Sequence, residues 1–333
     1  MRRPKTLPAF TPQQVKQAHM LLAIKVAYML GRKFEEGDWA EVYCKAKGFP
    51  IAVWSNLNID VMCDLLGVEH KMLCYGSNAD IREACGQTVM HPAATRSIRI
   101  ASTDVDPGEA MRDIFSQYGE LIRQRTEKVR SQATSKGEPD MRTGWLLWQE
   151  SLRQFLYFEE EMLTPDPSDY RAKWMASGGG ARKKSKNLWI YEKGSGKKRY
   201  SVTTEAGIKI QPYFDIPPPD DPNLYIFTVI GEVVDAGLIR VWLTESTARE
   251  LADTLGAVDT KSVSNAILAV IPDIGETELT EAVDVTAGVS LVITQESYKA
   301  LYSAVGGVND DHRFQLLLRC LRRKNGSEGE PEA

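Results

Sequence analysis

The spacing of apolar and polar residues predicts helices at the start of the chain. "TPQQ" places Thr11 as an N-cap, Pro12 at the first helical position and Gln14 where a capping box requires it, so we expect a helix over 12–30. A second helix is predicted over 35–47, ending at Gly48, with Glu41 and Lys45 four residues apart on one side.

The pattern then changes to one that favours strands. The run "IAVWSNLNIDVMCDLLGVEHKMLCY" is rich in β-branched and large apolar residues and has a turn-like centre. The predicted elements from here are strands over 51–55, 58–64 and 67–74, a short helix near 79–86, a strand over 96–102 and a long helix over 107–132. The first third of the chain therefore has the order α, α, β, β, β, α, β, α.

The middle of the chain combines a predicted helix with a hairpin. Residues 131–144 are expected to form a flexible connection, and the aromatic-rich segment 145–163 is predicted to be a helix whose aromatics pack in the core. "NLWIYEK" and "KKRYSVT", joined by a Gly-Ser-Gly turn, predict a hairpin over 186–203. Four prolines in 215–223 exclude regular structure there and indicate a domain boundary.

A possible internal repeat follows the prolines. Segments 241–258 and 291–308 align at an offset of fifty residues, each a strand, a threonine N-cap (Thr244 or Thr294) and an amphipathic helix. Two related units or a chance similarity both explain this. The predicted organisation is a core over 1–133, a recognition region over 145–215, a C-terminal α/β region over 223–324 and a disordered tail over 325–333.

Composition narrows the class of protein. With 43% apolar and 26% charged residues in 333, the chain is typical of a globular protein, and a net charge of −4 argues against coating nucleic acid by bulk charge. The five cysteines form no CxxC pair, so free thiols in a reducing compartment are favoured over a zinc site. No signal peptide or membrane span is expected, and the protein is predicted to be cytoplasmic.

Charged residues in "GVEHKML" suggest a site. If 58–64 and 67–73 form a hairpin with residues 65 and 66 as its loop, then 60 faces 71 and 62 faces 69. Asp60, Asp64, Glu69 and Lys71 would then share one face of the sheet, with His70 on the other. Neighbouring carboxylates can bind Mg²⁺, and a nearby lysine can stabilise negative charge that develops during a reaction.

Asp60, Glu69-His70-Lys71 and the upstream helical Glu41, set in this element order, resemble the PD-(D/E)xK nuclease superfamily, which includes restriction endonucleases. The resemblance covers about residues 12–132 and implies a mixed sheet flanked by helices, followed here by a C-terminal α+β region. It also implies Asp60 and Glu69 as Mg²⁺ ligands, Lys71 as the catalytic lysine and Glu41 as an accessory carboxylate. In place of the family's proline before the aspartate stands Ile59, and Asp64 competes with Asp60 for the first role.

The hairpin carries candidate DNA contacts. Basic residues there can neutralise phosphates or read guanine edges, and aromatic residues can stack on bases. The candidates are Arg182, Lys183, Lys184, Lys186, Trp189, Tyr191, Lys197, Lys198, Arg199 and Tyr200. Basic residues on the long helix, Arg125 among them, are expected to extend this surface.

These features predict a sequence-specific, restriction-like endonuclease that cuts double-stranded DNA as a homodimer. Two alternatives stay open: a DNA-binding regulator without chemistry, and another hydrolase or interaction protein whose carboxylates serve stability. A solvated basic loop over packed aromatics is the corresponding alternative for the hairpin.

Overall fold

The chain folds into an α/β protein in which a mixed sheet is flanked by helices. The computed structural model describes residues 5–29, 32–50, 59–76, 79–91, 98–100, 102–177, 185–203, 209–273, 287–324 and 326. The predicted strand over 51–55, most of the one over 96–102 and the tail from 327 lie outside these residues; residues 98–100 are not in a strand.

The first sheet has the strand order β1-β6-β5-β3-β2, with β11 also paired to β6. Its strands are β1 (Thr6–Leu7), β2 (Val61–Cys63), β3 (Leu66–Tyr75), β5 (Asp140–Gln149), β6 (Gln154–Glu161) and β11 (Tyr225–Thr228). Strands β3 and β5 are parallel, whereas the other pairs are antiparallel. The parallel pair is possible because α3 (Pro107–Gln132), which has the predicted bounds, carries the chain back between them.

Two helices cover one face of this sheet. Helix α1 (Pro12–Ala27) begins with the predicted capping box at Thr11 and Gln14, and α2 (Glu36–Lys47) ends at Gly48, whose φ of 72° a glycine adopts without strain. Their apolar residues form one buried cluster with side chains of β2, β3, β5, β6 and β11. His70, as predicted, lies on this face, among aromatic rings.

The hairpin of β2 and β3 has the predicted parity but a different register. Val61 pairs with Val68 and Cys63 with Leu66, so the turn falls at residues 64 and 65 rather than 65 and 66. Asp64 accounts for the shift, since it adopts a φ of 51°, a turn conformation that aspartate tolerates better than most residues. Because the pairing of the two strands is shifted by two residues, each strand residue stays on the predicted face of the sheet. The residue opposite Asp60 changes from Lys71 to Glu69.

The predicted helix over 145–163 is wrong, because these residues belong to two strands. Strand β5 begins earlier, at Asp140, and ends at Gln149, and strand β6 follows from Gln154 to Glu161. The run is apolar on both sides: Leu146 packs against α1 and α2, and Leu147 packs on the opposite face. A strand buried on both faces gives a continuous apolar run, which periodicity does not separate from a buried helix. The tight connection includes Leu152 at a φ of 56°.

A second sheet stands over the other face of the first. Its strand order is β4-β10-β9-β8-β7, formed by β4 (Thr88–Met90), β7 (Tyr170–Ser177), β8 (Ser185–Glu192), β9 (Lys198–Thr203) and β10 (Lys209–Asp215). The predicted hairpin is thus confirmed as β8 and β9. One face of this sheet packs on α3, and Phe214 stacks on Trp145 of the first sheet, with ring centroids 3.9 Å apart. The predicted short helix is a single 3₁₀ turn, Ile81–Ala84.

The C-terminal part is a three-stranded antiparallel sheet with helices. Its elements are β12 (Glu232–Asp235), β13 (Leu238–Thr244), β14 (Gly288–Thr294), α4 (Glu245–Leu255), α5 (Thr260–Val270), α6 (Gln295–Ala304) and α7 (Asp310–Lys324). Both predicted strand–cap–helix units are observed, with Thr244 and Thr294 as N-caps. Val241 pairs with Leu291, so two positions fifty residues apart face each other at the centre of the pair.

No helix in the described part of the chain is long and apolar enough to cross a membrane.

Candidate functional site

A cleft of about 830 Å³ opens between the two sheets. The first sheet contributes Glu69, Lys71, Thr143, Trp145 and Glu160 to its wall. Helix α3 contributes Tyr118 and Arg125, and the second sheet contributes Arg199, Tyr200 and residues of β10. The cleft therefore collects charged side chains from three separate parts of the chain.

Glu69 lies at the centre of the charged group. Lys71 Nζ donates to Glu69 Oε1 at 2.5 Å, and Arg125 Nη2 lies 3.2 Å from the same oxygen. The other oxygen, Oε2, is buried and has no hydrogen-bond partner among the described residues. The side chain is only 9% exposed, so this oxygen is held away from bulk water. A buried carboxylate oxygen without a donor is costly unless a cation or a ligand donor completes its surroundings.

Asp60 lies beside Glu69. Its Oδ2 accepts the backbone N–H of His70 at 2.6 Å, which fixes the carboxyl next to the Glu69–Lys71 segment of β3. Burial, followed by the negative charges of Glu69 and Glu36, raises the pKa of Asp60 to about 8. Burial and the repulsion from these charges together favour the protonated form of Asp60 at neutral pH.

Lys71 is charged in this setting. Burial opposes its charge, but the charge and hydrogen bond of Glu69, with the charge of Asp60, raise the pKa of the ammonium. Lys71 therefore offers a fixed positive charge at the cleft wall, where its side chain is 27% exposed.

Asp64 has a separate, structural role. Its carboxylate accepts hydrogen bonds from the backbone N–H groups of Thr134 and Ser135, each at 2.9 Å, and so ties the hairpin turn to the segment after α3. The side-chain hydrogen bond from Ser135, together with these backbone bonds, lowers the pKa of Asp64 to about 2. The structure thus places Asp60, and not Asp64, beside Glu69.

Glu41 is engaged elsewhere on α2. Its two oxygens accept hydrogen bonds from Lys25 and Lys45, each at 2.6 Å. Burial works against ionisation, but these two lysines together lower the pKa of Glu41. On the same helix, the carboxylate that raises the pKa of Asp60 through its charge is that of Glu36. Glu36 lies about one and a half helical turns before Glu41.

Glu160 is a carboxyl of the cleft that sequence reasoning missed. It lies in the same row of the sheet as Glu69, because Glu69 pairs with Thr143 and Thr143 pairs with Glu160. Trp145 Nε1 donates to Glu160 Oε1 at 2.6 Å. Burial, despite this bond, raises the pKa of Glu160 to about 7. The sequence "FLYFEEE" contains a signal for this position. In a strand, neighbouring side chains point to opposite faces, so Glu160 points away from Glu159 and Glu161, which a helix would not do.

The predicted DNA contacts on the hairpin separate into two groups. Arg199 and Tyr200 line the cleft, and Arg199 is paired with Glu192 and Asp215. Lys198 lies on the other side, with its Nζ 3.8 Å from the ring centroid of Trp189. Tyr191, opposite Lys198 in the register, shares that side.

The remaining basic residues among the predicted DNA contacts have acidic partners or lie outside the described residues. Lys186 pairs with Asp104, and Lys197 pairs with Asp215. Arg182, Lys183 and Lys184 lie outside the residues that the structure describes.

The residues present fit a hard divalent cation. Asp60 and Glu69 supply oxygen donors, one of which is the buried Oε2 without a partner. Within the described residues, no group of three or more His, Cys, Asp and Glu side chains is arranged to hold a metal ion. Mg²⁺ characteristically takes one or two carboxylates and completes its octahedron with water and substrate phosphate, so two carboxylates meet its needs.

Comparisons with protein-family models, with curated proteins and with solved structures found no match to this chain.

Proposed function

We propose that the cleft is the active site of a metal-dependent nuclease that hydrolyses phosphodiester bonds of DNA. The observation that carries this proposal is the pair of adjacent carboxylates, Asp60 and Glu69, with the charged Lys71 hydrogen-bonded to one of them. This is the combination for which the sequence resembles the PD-(D/E)xK superfamily. The mixed sheet flanked by helices is compatible with that resemblance, and Glu36 takes the place first expected for Glu41.

Each side chain of the cleft has a role in this proposal. Asp60 and Glu69 would hold Mg²⁺, which when bound would polarise the phosphodiester and lower the pKa of a water molecule beside it. Lys71 lies next to these carboxylates and stabilises the negative charge that develops on the phosphoryl oxygens. Arg125 holds Glu69 in place through Oε1, leaving Oε2 for the cation.

Glu160 provides a proton at neutral pH. With a pKa of about 7, the carboxyl is about half protonated at neutral pH. It stands two strands away from Glu69, which is about 10 Å at the usual strand spacing. A phosphodiester between the two carboxyls would thus meet metal ligands on one side and a proton donor for the leaving oxygen on the other.

Double-stranded DNA, sequence specificity and a homodimer belong to the same proposal, since a two-fold dimer is the simplest way to cut both strands of a symmetric site. The alternative of a regulator without chemistry predicts a different outcome in a simple experiment. Plasmid and genomic DNA, methylated and unmethylated, are incubated with the protein in Mg²⁺ or in EDTA, beside Lys71→Ala and the control Lys45→Ala.

The proposal predicts Mg²⁺-dependent cleavage that Lys71→Ala abolishes and Lys45→Ala retains, because Lys45 contacts Glu41 and not the cleft. Intact DNA in every reaction, or equal cleavage by wild type and Lys71→Ala, would contradict it.

A further inference from the structure

The outer face of the second sheet combines aromatic and basic side chains. Its strands β7, β8, β9 and β10 turn alternate residues toward α3 and alternate residues outward. Outward positions include Arg171, Lys173, Met175, Asn187, Trp189, Tyr191, Lys198, Ser201, Gln211 and Tyr213. Three of these ten side chains are cationic and three are aromatic, and the acidic residue at the next outward position of β10, Asp215, is paired with Lys197 and Arg199.

The register places the aromatic and basic residues side by side. Lys173 pairs with Trp189, and Arg171 pairs with Tyr191, which in turn pairs with Lys198. The β-bulge between Ile190 and Tyr191 is what brings Lys198 opposite Tyr191. Cationic and aromatic positions thus alternate across three neighbouring strands in the row of Arg171, Tyr191 and Lys198, whereas the row of Lys173 and Trp189 ends at Ser201.

The contacts confirm this arrangement at the level of atoms. Lys198 Nζ lies 3.8 Å from the ring centroid of Trp189 and 4.6 Å from that of Tyr213, and Lys173 Nζ lies 5.1 Å from the ring of Tyr191. The three rings are partly exposed, and Arg171 and Lys173 are exposed. A shallow cavity of about 310 Å³ lies among Arg171, Lys173 and Tyr191.

We propose that this outer face, from here on the aromatic face, binds single-stranded DNA, with bases stacked on Trp189 and Tyr191 and phosphates held by Arg171, Lys173 and Lys198. Exposed rings on an antiparallel sheet offer every base a surface for stacking, and flanking cations follow the backbone. Paired bases in a duplex leave no ring faces free for such stacking, so the face favours an unpaired strand. The choice of DNA rests on the proposed function, whereas the single-strand preference does not.

The aromatic face and the cleft share strands β9 and β10. Lys198 is outward, whereas the next residues, Arg199 and Tyr200, line the cleft. A strand held on the aromatic face is therefore held by the same sheet that walls the proposed active site.

The test is the binding of a fluorescein-labelled thymidine 20-mer to the full-length protein, followed by fluorescence anisotropy in EDTA so that hydrolysis does not interfere. The same measurement is made with a duplex and with an RNA of equal length. Variants are Trp189→Ala, Trp189→Phe, Lys173→Gln and the control Lys193→Gln, which removes one charge from the turn beside this face. Circular dichroism establishes that each variant is folded.

The expected result is that Trp189→Ala weakens binding of the thymidine 20-mer about fivefold or more, since stacking of one base contributes about 1–3 kcal/mol, and weakens binding of the duplex less. Trp189→Phe should retain most of the affinity, and Lys173→Gln should weaken binding more than Lys193→Gln. Unchanged affinity of folded Trp189→Ala for the thymidine 20-mer, an equal loss of affinity for the duplex, or tighter binding of RNA than of single-stranded DNA would each overturn the proposal. DNA cleavage plays no part in this readout, so loss of one proposal is distinguishable from loss of the other.

Discussion

Replacing Asp60 with asparagine should stabilise the protein at neutral and higher pH. Asparagine keeps an oxygen that accepts the N–H of His70, which Asp60 Oδ2 now does at 2.6 Å, but removes the charge that faces Glu69 and Glu36. The folded protein holds the pKa of Asp60 at about 8, above the ordinary value of 3.8, so folding favours the protonated form. This contribution to stability is present below pH 4 and is lost as the pH rises toward 8.

The magnitude follows from the size of the pKa rise. A rise of about four pKa units at about 1.4 kcal/mol each gives an upper bound of about 5 to 6 kcal/mol. Asp60 keeps some contact with solvent, which screens part of the repulsion, so we expect a measured difference of about 2 to 3 kcal/mol.

The assay is urea unfolding in EDTA at several pH values from 5 to 9, for wild type and Asp60→Asn. The free energy of unfolding of the wild type should fall relative to the variant as pH rises. Adding Mg²⁺ at pH 8 should restore stability to the wild type and leave the variant unchanged, because a bound cation stabilises the folded state that holds it.

Asp64→Asn is the matched control, since the pKa of Asp64 is lowered to about 2 and its effect has the opposite sign. That variant should be less stable than wild type at neutral pH and should keep the response to Mg²⁺. Parallel pH curves for wild type and Asp60→Asn would refute the reasoning about the carboxylate pair.

Three further outcomes are expected. Cleavage by the wild type should fall as pH rises through about 7, and Glu160→Gln should lose this limb of the pH–rate profile because it has no proton to give up; an identical profile would argue against Glu160 as proton donor. Glu36→Gln should lower the pKa of Asp60, seen by NMR titration of its carboxyl, whereas Glu41→Gln should cost less than about 1 kcal/mol of stability and leave cleavage intact. Gly144→Ala should destabilise by about 1–3 kcal/mol in urea unfolding, since its new Cβ would meet Tyr157 and His70, while Gly76→Ala, with open space around it, serves as the neutral reference.

The helices of the first third were predictable because their signals are local. Thr11, Pro12 and Gln14 form a cap within four residues, and α3 begins at Pro107 after the capping Asp106. Such signals predict helix starts well, because a capping side chain bonds to the backbone of residues next to it in the sequence and does not depend on tertiary contacts.

The face of the sheet that carries Glu69 and Lys71 was also predictable, whereas the register of the hairpin was not. Register depended on Asp64, whose turn conformation is held by Thr134 and Ser135 from beyond α3. Seventy residues separate these partners, so nothing in the hairpin itself reveals the contact.

The missed carboxyl, Glu160, follows from the wrong helix over 145–163. Leu146 and Leu147 are both buried, on opposite faces, so the run shows neither a helical stripe nor strand alternation. The division of the hairpin into a cleft side and an aromatic face depended likewise on one β-bulge at Ile190 and Tyr191. Such features depend on tertiary pairing, which residue spacing does not specify.

The most direct test of the proposed active site is the time course of supercoiled plasmid cleavage in Mg²⁺ by wild type, Glu69→Gln and Glu41→Gln. Glu69→Gln keeps the shape of the side chain but removes the charge and the donor oxygen that would hold the cation, whereas Glu41→Gln alters a carboxylate tied to Lys25 and Lys45. The proposal predicts nicked or linear plasmid with wild type and Glu41→Gln and uncut plasmid with Glu69→Gln. Equal cleavage by Glu69→Gln and wild type, or no cleavage by any of the three, would contradict it.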